Sequence, residues 1–309
     1  MDLPEGKTRQ TLQGSRNQLN KREETGKPNL NGKLSSLDDA EGNPVASPSP
    51  FLSVIIPAYN EEKRLPETLK TVLEFFEAQD YPVEVIVVDD GSEDNTTAIV
   101  QRLMSERSKE AQSKNPVACE LKLIKSEHRG KGFSVRRGML AGKGQYLLFS
   151  DADLSTPISD VEKLLFWLEQ GYDVAVGSRE GKEAHRYNEP FYRHLMGRVF
   201  NLMVRILTQT GLEDTQCGFK ALRFNACQSL FQSLKLYGDG SNTVKGPMVT
   251  GFDVELLFLA RKYGYKIKEV PVEWYHVRGS KVNPLKDSVR MARDIFKVRL
   301  NDLRGLYKK

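Results

Sequence analysis

Long apolar runs are missing: nothing in the 309 residues approaches the roughly 18 to 20 consecutive apolar positions needed to cross a bilayer, so no spanning helix is expected. Cysteine is scarce. Cys119, Cys217 and Cys227 are an odd number without paired metal spacing, which argues against a disulfide framework and structural zinc. His128, His185, His194 and His276 show no metal spacing either. No apolar signal segment opens the sequence, so a reducing, cytoplasmic setting is expected. There is no Gly-x-x-x-x-Gly-Lys-Ser/Thr loop and no Gly-x-Gly-x-x-Gly after the first apolar run, which argues against P-loop hydrolases and dinucleotide oxidoreductases.

Net charge is also small, at +5, but unevenly placed. Residues 1–50 carry seven basic and seven acidic side chains, residues 51–283 carry 31 of each, and residues 284–309 carry eight and three. The whole excess lies in the last segment. That pattern points to a local contact with an anionic partner and away from general nucleic-acid binding.

Residues 1–50 contain no aromatic side chain and end in a Pro/Ser-rich stretch. Such a segment buries too little apolar surface to offset an ordering entropy of about 1–2 kcal/mol per residue, and it reads as a disordered tail. Folding signals begin with an apolar run over 51–56 closed by Pro57, followed by a helical pattern over 64–79 and a second strand over 83–88. A helix over 97–108, a strand over 119–124, a helix after Gly130-Lys131-Gly132 and a strand over 145–150 follow. Further on, strands are expected at 173–177 and 267–274, and helices at 189–210 and 252–263. The alternation predicts an α/β fold: a mostly parallel central sheet, covered on both faces, forming one domain over residues 51–283. Residues 284–309 follow as an amphipathic helix.

Acidic groups stand after three expected strands: Asn60-Glu61-Glu62, Asp89-Asp90 and Asp151-Ala152-Asp153. Parallel order places such strand ends along one edge, where paired carboxylates can hold a divalent cation against a diphosphate. Each cluster singly also suits a turn or helix cap. Lys131, between two glycines, offers a cation with close backbone approach.

Pro57-Ala-Tyr-Asn-Glu61, Asp89-Asp-Gly-Ser92, Gly130-Lys-Gly132 and Asp151-Ala-Asp153, in this order, resemble the family 2 inverting glycosyltransferases of the GT-A (Rossmann-like) fold. Gly177-Ser-Arg179, Asp214-Thr-Gln-Cys-Gly-Phe-Lys220, Phe252-Asp-Val-Glu-Leu-Leu257 and Gly279-Ser-Lys281 resemble the dolichyl-phosphate sugar synthases, especially the β-glucosyltransferase branch. The resemblance covers about residues 51–309. It implies that Pro57, Tyr59 and Glu61 line a nucleotide pocket and that Asp90 contacts base and ribose. Asp153 would be the principal ligand of Mg²⁺ or Mn²⁺, and Asp151 would hold the ribose or assist the metal. The pattern departs at Ser155, where the mannosyl branch carries a Gln that completes the metal shell, and the third ligand is left unassigned.

The resemblance further implies a UDP-glucose donor and a polyprenyl phosphate acceptor. Transfer to a soluble hydroxyl, mannosyl transfer from GDP-mannose and a non-catalytic nucleotide-sugar binder are the alternatives. A lipid phosphate is already an anionic nucleophile and needs no strong base. Asp253 matches a position where members with hydroxyl acceptors keep a base; acceptor or sugar positioning is favoured over base catalysis here, and a plain helix N-terminal carboxylate is equally open. Arg179, with Arg193 and Arg198, suits an acceptor phosphate, because guanidinium forks match phosphate oxygens; each singly also suits a solvated helix face, and Arg179 is favoured because its motif matches the family. Lys281 resembles a lid that closes on the diphosphate; a hairpin end or a basic surface patch would look the same.

In the last segment Leu285, Val289, Ala292, Ile295, Phe296, Leu300, Leu303 and Leu306 fall roughly along one helical stripe with basic residues around it. Packing on the domain and lying in a membrane interface both fit that pattern, so peripheral attachment at the cytoplasmic membrane face is an expectation.

Overall fold

A computed structural model of the chain describes residues 50–111, 119–181, 183–187, 211–238, 243–244, 251–277 and 284–308. Nine strands are seen among them: β1 (Leu52–Ala58), β2 (Val83–Asp89), β3 (Cys119–Lys125), β4 (Tyr146–Ser150), β5 (Val174–Ser178), β6 (His185–Tyr187), β7 (Phe219–Arg223), β8 (Ile267–Pro271) and β9 (Glu273–Tyr275). The helices are α1 (Leu65–Glu77), α2 (Thr96–Ala111), α3 (Lys131–Ala141), α4 (Val161–Glu169), α5 (Phe224–Ser233), α6 (Phe252–Lys262) and α7 (Pro284–Leu303).

Local sequence explains these elements. In α1, Leu65, Leu69, Val72, Leu73 and Phe76 recur at helical spacing and are buried, and a proline sits in the first turn, where its missing N–H costs nothing. All seven residues of β2 are buried, as expected of a strand covered on both faces. Helix α6 is buried from Phe252 to Ala260, so it is an interior helix.

Seven strands form one sheet in the order β3-β2-β1-β4-β7-β5-β8. All neighbours are parallel except β7, which runs antiparallel to both β4 and β5. Helix α3 packs on β1, β2 and β4 and against α5, and α5 in turn meets α6. Ile55, Ile86, Leu147 and Phe149 join the core on that side, while the intervening Val54, Val85 and Leu148 are equally buried on the other.

Three details differ from the sequence expectation. β1 runs through Pro57 to Ala58, because pairing with β4 ends at Ile55 and beyond it only the β2 side remains paired. The expected strand over 267–274 is two strands, β8 in the main sheet and β9 paired with β6 in a separate two-stranded sheet. β6, β7 and helices α4 and α5 are not among the expected elements; β7 begins at Phe219, at the end of the Asp214 to Lys220 motif. The helix expected at 189–210, which includes Arg193 and Arg198, lies outside the described residues.

Helix α7 packs on the domain through Met291, Ile295 and Val298. Asp294 accepts a hydrogen bond from the Tyr237 hydroxyl, and beyond the helix the buried Tyr307 donates to Glu255 Oε1 at 2.6 Å. Packing is thus established for one face of the helix. No helix among the described residues is long and apolar enough to cross a membrane.

Candidate active site

β2, β1 and β4 are adjacent and parallel, so their carboxyl ends bring Asp89-Asp90, Asn60-Glu61 and Asp151-Asp153 to one edge. The carboxylates there do different work. Asp89 is a turn and cap residue, accepting from Ser92 N at 2.9 Å and from the Thr97 hydroxyl. Buried Asp90 organises the loop before α3, accepting from Arg129 N at 3.1 Å and Gly130 N at 2.9 Å. Gly130 has φ +92°, a conformation that favours glycine at this helix start.

Asp90 Oδ2 also meets His128 Nδ1 at 2.7 Å. The His128 ring lies parallel to Tyr59, with centroids 3.8 Å apart and planes 3° from coplanar. Tyr59, Asp90 and His128 thus form one unit at the end of β1 and β2. The sequence reading gave His128 no role; no spacing rule pairs it with Tyr59, because the two meet only through the sheet.

Glu61 donates its N–H to Thr96 Oγ1 at 2.8 Å and its carboxylate stands 3.4 Å from Arg64. Glu61, Arg64 and Thr68 line a cavity of about 770 Å³ with Asp153, Leu154 and Val277. Pro57 lies in β1, near its carboxyl end. Asp153 Oδ1 accepts from Ser155 N at 3.0 Å, the contact of a tight turn, while the side chain borders the cavity.

Asp151 is placed by β7. Its N–H donates to Gly218 O at 3.2 Å, and a Cβ at Gly218 would fall 2.1 Å from Asp151 Oδ2. Only glycine leaves room for that carboxylate. Lys131 Nζ approaches Asp151 Oδ1 at 2.5 Å, a close ion pair.

Behind this pair sits Lys220, fully buried on β7. Its ammonium donates to Cys217 O and to Asp253 Oδ1, both at 2.6 Å, and stands 5.2 Å from the centroid of the Phe149 ring. Asp253 occupies the first turn of α6, so helix N-terminal and ion-pair roles coincide. Burial pushes the Asp253 carboxyl above its ordinary pKa, against the opposing pull of Lys220 and Lys131. Burial works against the Lys131 ammonium too, yet Asp151, Asp253 and Asp153 outweigh it and raise its pKa. Lys220 stands at the end of the Asp214 to Lys220 motif, and nothing local in the sequence marks its pairing with Asp253.

Arg179 is held by Asp214: Nε to Oδ2 at 2.7 Å, Nη2 to Oδ1 at 2.9 Å, and its own N–H to Oδ2 at 3.0 Å. Burial alone would raise the Asp214 pKa, but this guanidinium fork and the surrounding N–H groups hold it well below the usual carboxylate range. Lys281 lies outside the described residues.

Among the described residues no three His, Cys, Asp or Glu side chains gather as a ready metal cluster. Two hard carboxylates, Asp151 and the cavity-lining Asp153, still suit Mg²⁺ or Mn²⁺, since Mg²⁺ is commonly bound by one or two carboxylates with phosphate and water completing the shell.

Comparison with known proteins gives the class. The family model for glycosyl transferase family 2 matches residues 53–231. A dolichyl-phosphate beta-glucosyltransferase of Drosophila melanogaster is 37% identical over 280 residues, 85% of this chain and 78% of that protein. Proteins of the same description from Saccharomyces cerevisiae and Dictyostelium discoideum are 35% and 33% identical, each over 84% of this chain and over 77% and 76% of their own lengths. Among solved structures, glucosyl-3-phosphoglycerate synthase of Mycobacterium tuberculosis superposes with a TM-score of 0.52 at 20% identity, covering 82% of this chain and 80% of the other. A complex of that synthase with Mn²⁺, UDP-glucose and phosphoglyceric acid gives a TM-score of 0.51, also at 20% identity, over 82% and 79% of the two chains.

The chain belongs to glycosyl transferase family 2 and has the GT-A fold. It is a glycosyltransferase similar to the dolichyl-phosphate β-glucosyltransferases.

Proposed function

We propose that the protein transfers glucose from UDP-glucose to a polyprenyl phosphate of the dolichyl type, with inversion at the anomeric carbon. Relatives described as dolichyl-phosphate β-glucosyltransferases support the donor sugar and acceptor. The observation that carries the chemistry is the carboxyl edge of β1, β2 and β4, where Lys131 Nζ stands 2.5 Å from Asp151 Oδ1 and Asp153 borders the cavity.

In this reading Tyr59, His128 and Asp90 receive the nucleoside, with Pro57 and Glu61 forming the adjoining wall. Asp153, assisted by Asp151, would hold Mg²⁺ or Mn²⁺, which supplies charge neutralisation at the diphosphate. Lys131 places a second positive charge beside the leaving group, where negative charge develops. The acceptor phosphate oxygen bonds to the anomeric carbon as the bond to the diphosphate oxygen breaks, and UDP leaves with that electron pair. An anionic acceptor surrenders no proton, so no general base is needed. Asp253, its orientation locked by Lys220, positions the sugar through its hydroxyls. Arg179, braced by Asp214, and Lys281 are the candidates for the acceptor phosphate and the closing loop.

The test is UDP release by purified protein with Mn²⁺ or Mg²⁺, comparing UDP-glucose, UDP-GlcNAc and GDP-mannose with and without a short polyprenyl phosphate. Turnover only with UDP-glucose plus lipid phosphate, lost with a chelator and in Asp153→Ala, is the expected result. Lipid-dependent release that persists in Asp153→Ala would overturn the mechanism. Release that ignores the lipid would point to a soluble acceptor with Asp253 as its base.

A further inference from the structure

Helix α7 has two unlike faces. Met291, Asp294, Ile295 and Val298 turn inward and are buried. On the opposite side Phe296, Leu300 and Leu303, spaced i, i+4 and i+7, point outward, at 62%, 44% and 81% exposure, and Leu306 beyond the helix is 50% exposed. Four large apolar side chains in one stripe are an unusual concentration on a water-facing surface.

Charge says what covers the stripe. Exposed Arg293, Lys297 and Arg304 flank it, with Arg299 on the other side. The acidic residues between 290 and 308 are already engaged: Asp294 is buried against Tyr237, and Asp302 pairs with Lys262 and Arg299. The outward face is thus apolar along its centre and positive along its margins. A second copy of this chain would set these cations against their own kind. An anionic lipid surface satisfies both features, taking the apolar side chains into the acyl boundary while its headgroups meet the cations.

We propose that the outward face of α7 docks the protein in the plane of an anionic membrane, with Phe296, Leu300, Leu303 and Leu306 inserted and Arg293, Lys297 and Arg304 at headgroup level. The helix is tied to the active site from within. Asp294 and Gly251 both contact the Tyr237 hydroxyl, and Gly251 directly precedes α6, whose first turn carries Asp253. Docking through α7 therefore holds the acceptor side of the domain against the layer in which a lipid phosphate resides. This inference builds on the lipid-phosphate reading of the acceptor but is tested without any acceptor.

The experiment is co-sedimentation of the full chain with phosphatidylcholine vesicles, with and without phosphatidylserine, at low and high salt. Wild type should bind vesicles containing phosphatidylserine and release in high salt. Phe296→Glu/Leu303→Glu should lower the partition by about tenfold or more, and Lys297→Glu/Arg304→Glu should erase the preference for phosphatidylserine. Both variants alter exposed positions, and circular dichroism will verify that they fold. Undiminished binding by Phe296→Glu/Leu303→Glu would overturn the proposal. So would absence of vesicle binding by wild type, including the case of a concentration-dependent dimer that the same variant abolishes. Turnover by wild type on a water-soluble, short-chain prenyl phosphate without vesicles is measured in parallel. If that reaction fails while vesicle binding holds, the activity reading falls and the membrane surface stands.

Discussion

Lys220 Nζ and Asp253 Oδ1 meet at 2.6 Å inside the wall of the active site, joining a strand to the first turn of a helix through one ion pair. The lysine is fully buried, and Cys217 O receives a second of its N–H groups. Removing one partner strands the other. Lys220→Met should cost about 3–5 kcal/mol of stability in urea unfolding. Lys220→Met/Asp253→Leu should regain a large part of it while remaining inactive. A single variant as stable as wild type would show that the pair contributes little to the fold.

Gly218→Ala separates site geometry from stability. The added Cβ would fall 2.1 Å from Asp151 Oδ2, so the carboxylate must swing away from Lys131. A displacement of that size should lower kcat by about 10²-fold. The unfolding midpoint should move little, because a partly exposed side chain can yield. Normal turnover would exclude Asp151 in its present position from the reaction.

Asp214 makes a signed prediction about acid. Its pKa is held well below that of a carboxylate in the unfolded chain, where about 3.9 is usual. The stabilisation is therefore complete above that value and is lost as pH falls below it, when the unfolded chain binds a proton that the folded one refuses. Asp214→Asn should be less stable at neutral pH, and its stability should fall less steeply than that of wild type on acidification below about pH 4. Parallel pH profiles of unfolding free energy would contradict this.

The His128 ring should matter to donor binding more than to turnover. It stacks on Tyr59 and bonds Asp90, so His128→Ala removes a ring contact and a carboxylate partner together. The KM for the nucleotide sugar should rise about three- to tenfold, with kcat changed less. His128→Phe should restore part of the loss through stacking alone. An unchanged KM in the alanine variant would remove His128 from the nucleoside site.

Much of the frame was legible in the order of residues. Apolar runs ending in acids marked β1, β2 and β4, because a strand buried on both faces must be apolar while the turn that leaves the sheet must be polar. Asp151 and Lys131 were singled out from their motifs and do meet. β7 was not legible as a strand: it is short, runs against its neighbours and carries a lysine, and strand direction leaves no local mark.

Pairings across the sheet were beyond any local pattern. Lys220 reads as an ordinary cation until α6 brings Asp253 to it from 33 residues away, and His128 becomes an active-site ring only when the sheet sets β1 beside β2. The same holds for α7, whose amphipathic stripe fitted two surfaces equally well. Its spacing follows from 3.6 residues per turn, a local property of the chain, and residue order alone therefore sufficed to mark the helix. Which side chains turn inward depends on where Tyr237 and α6 stand in space, and contacts between distant segments arise only when the whole chain packs.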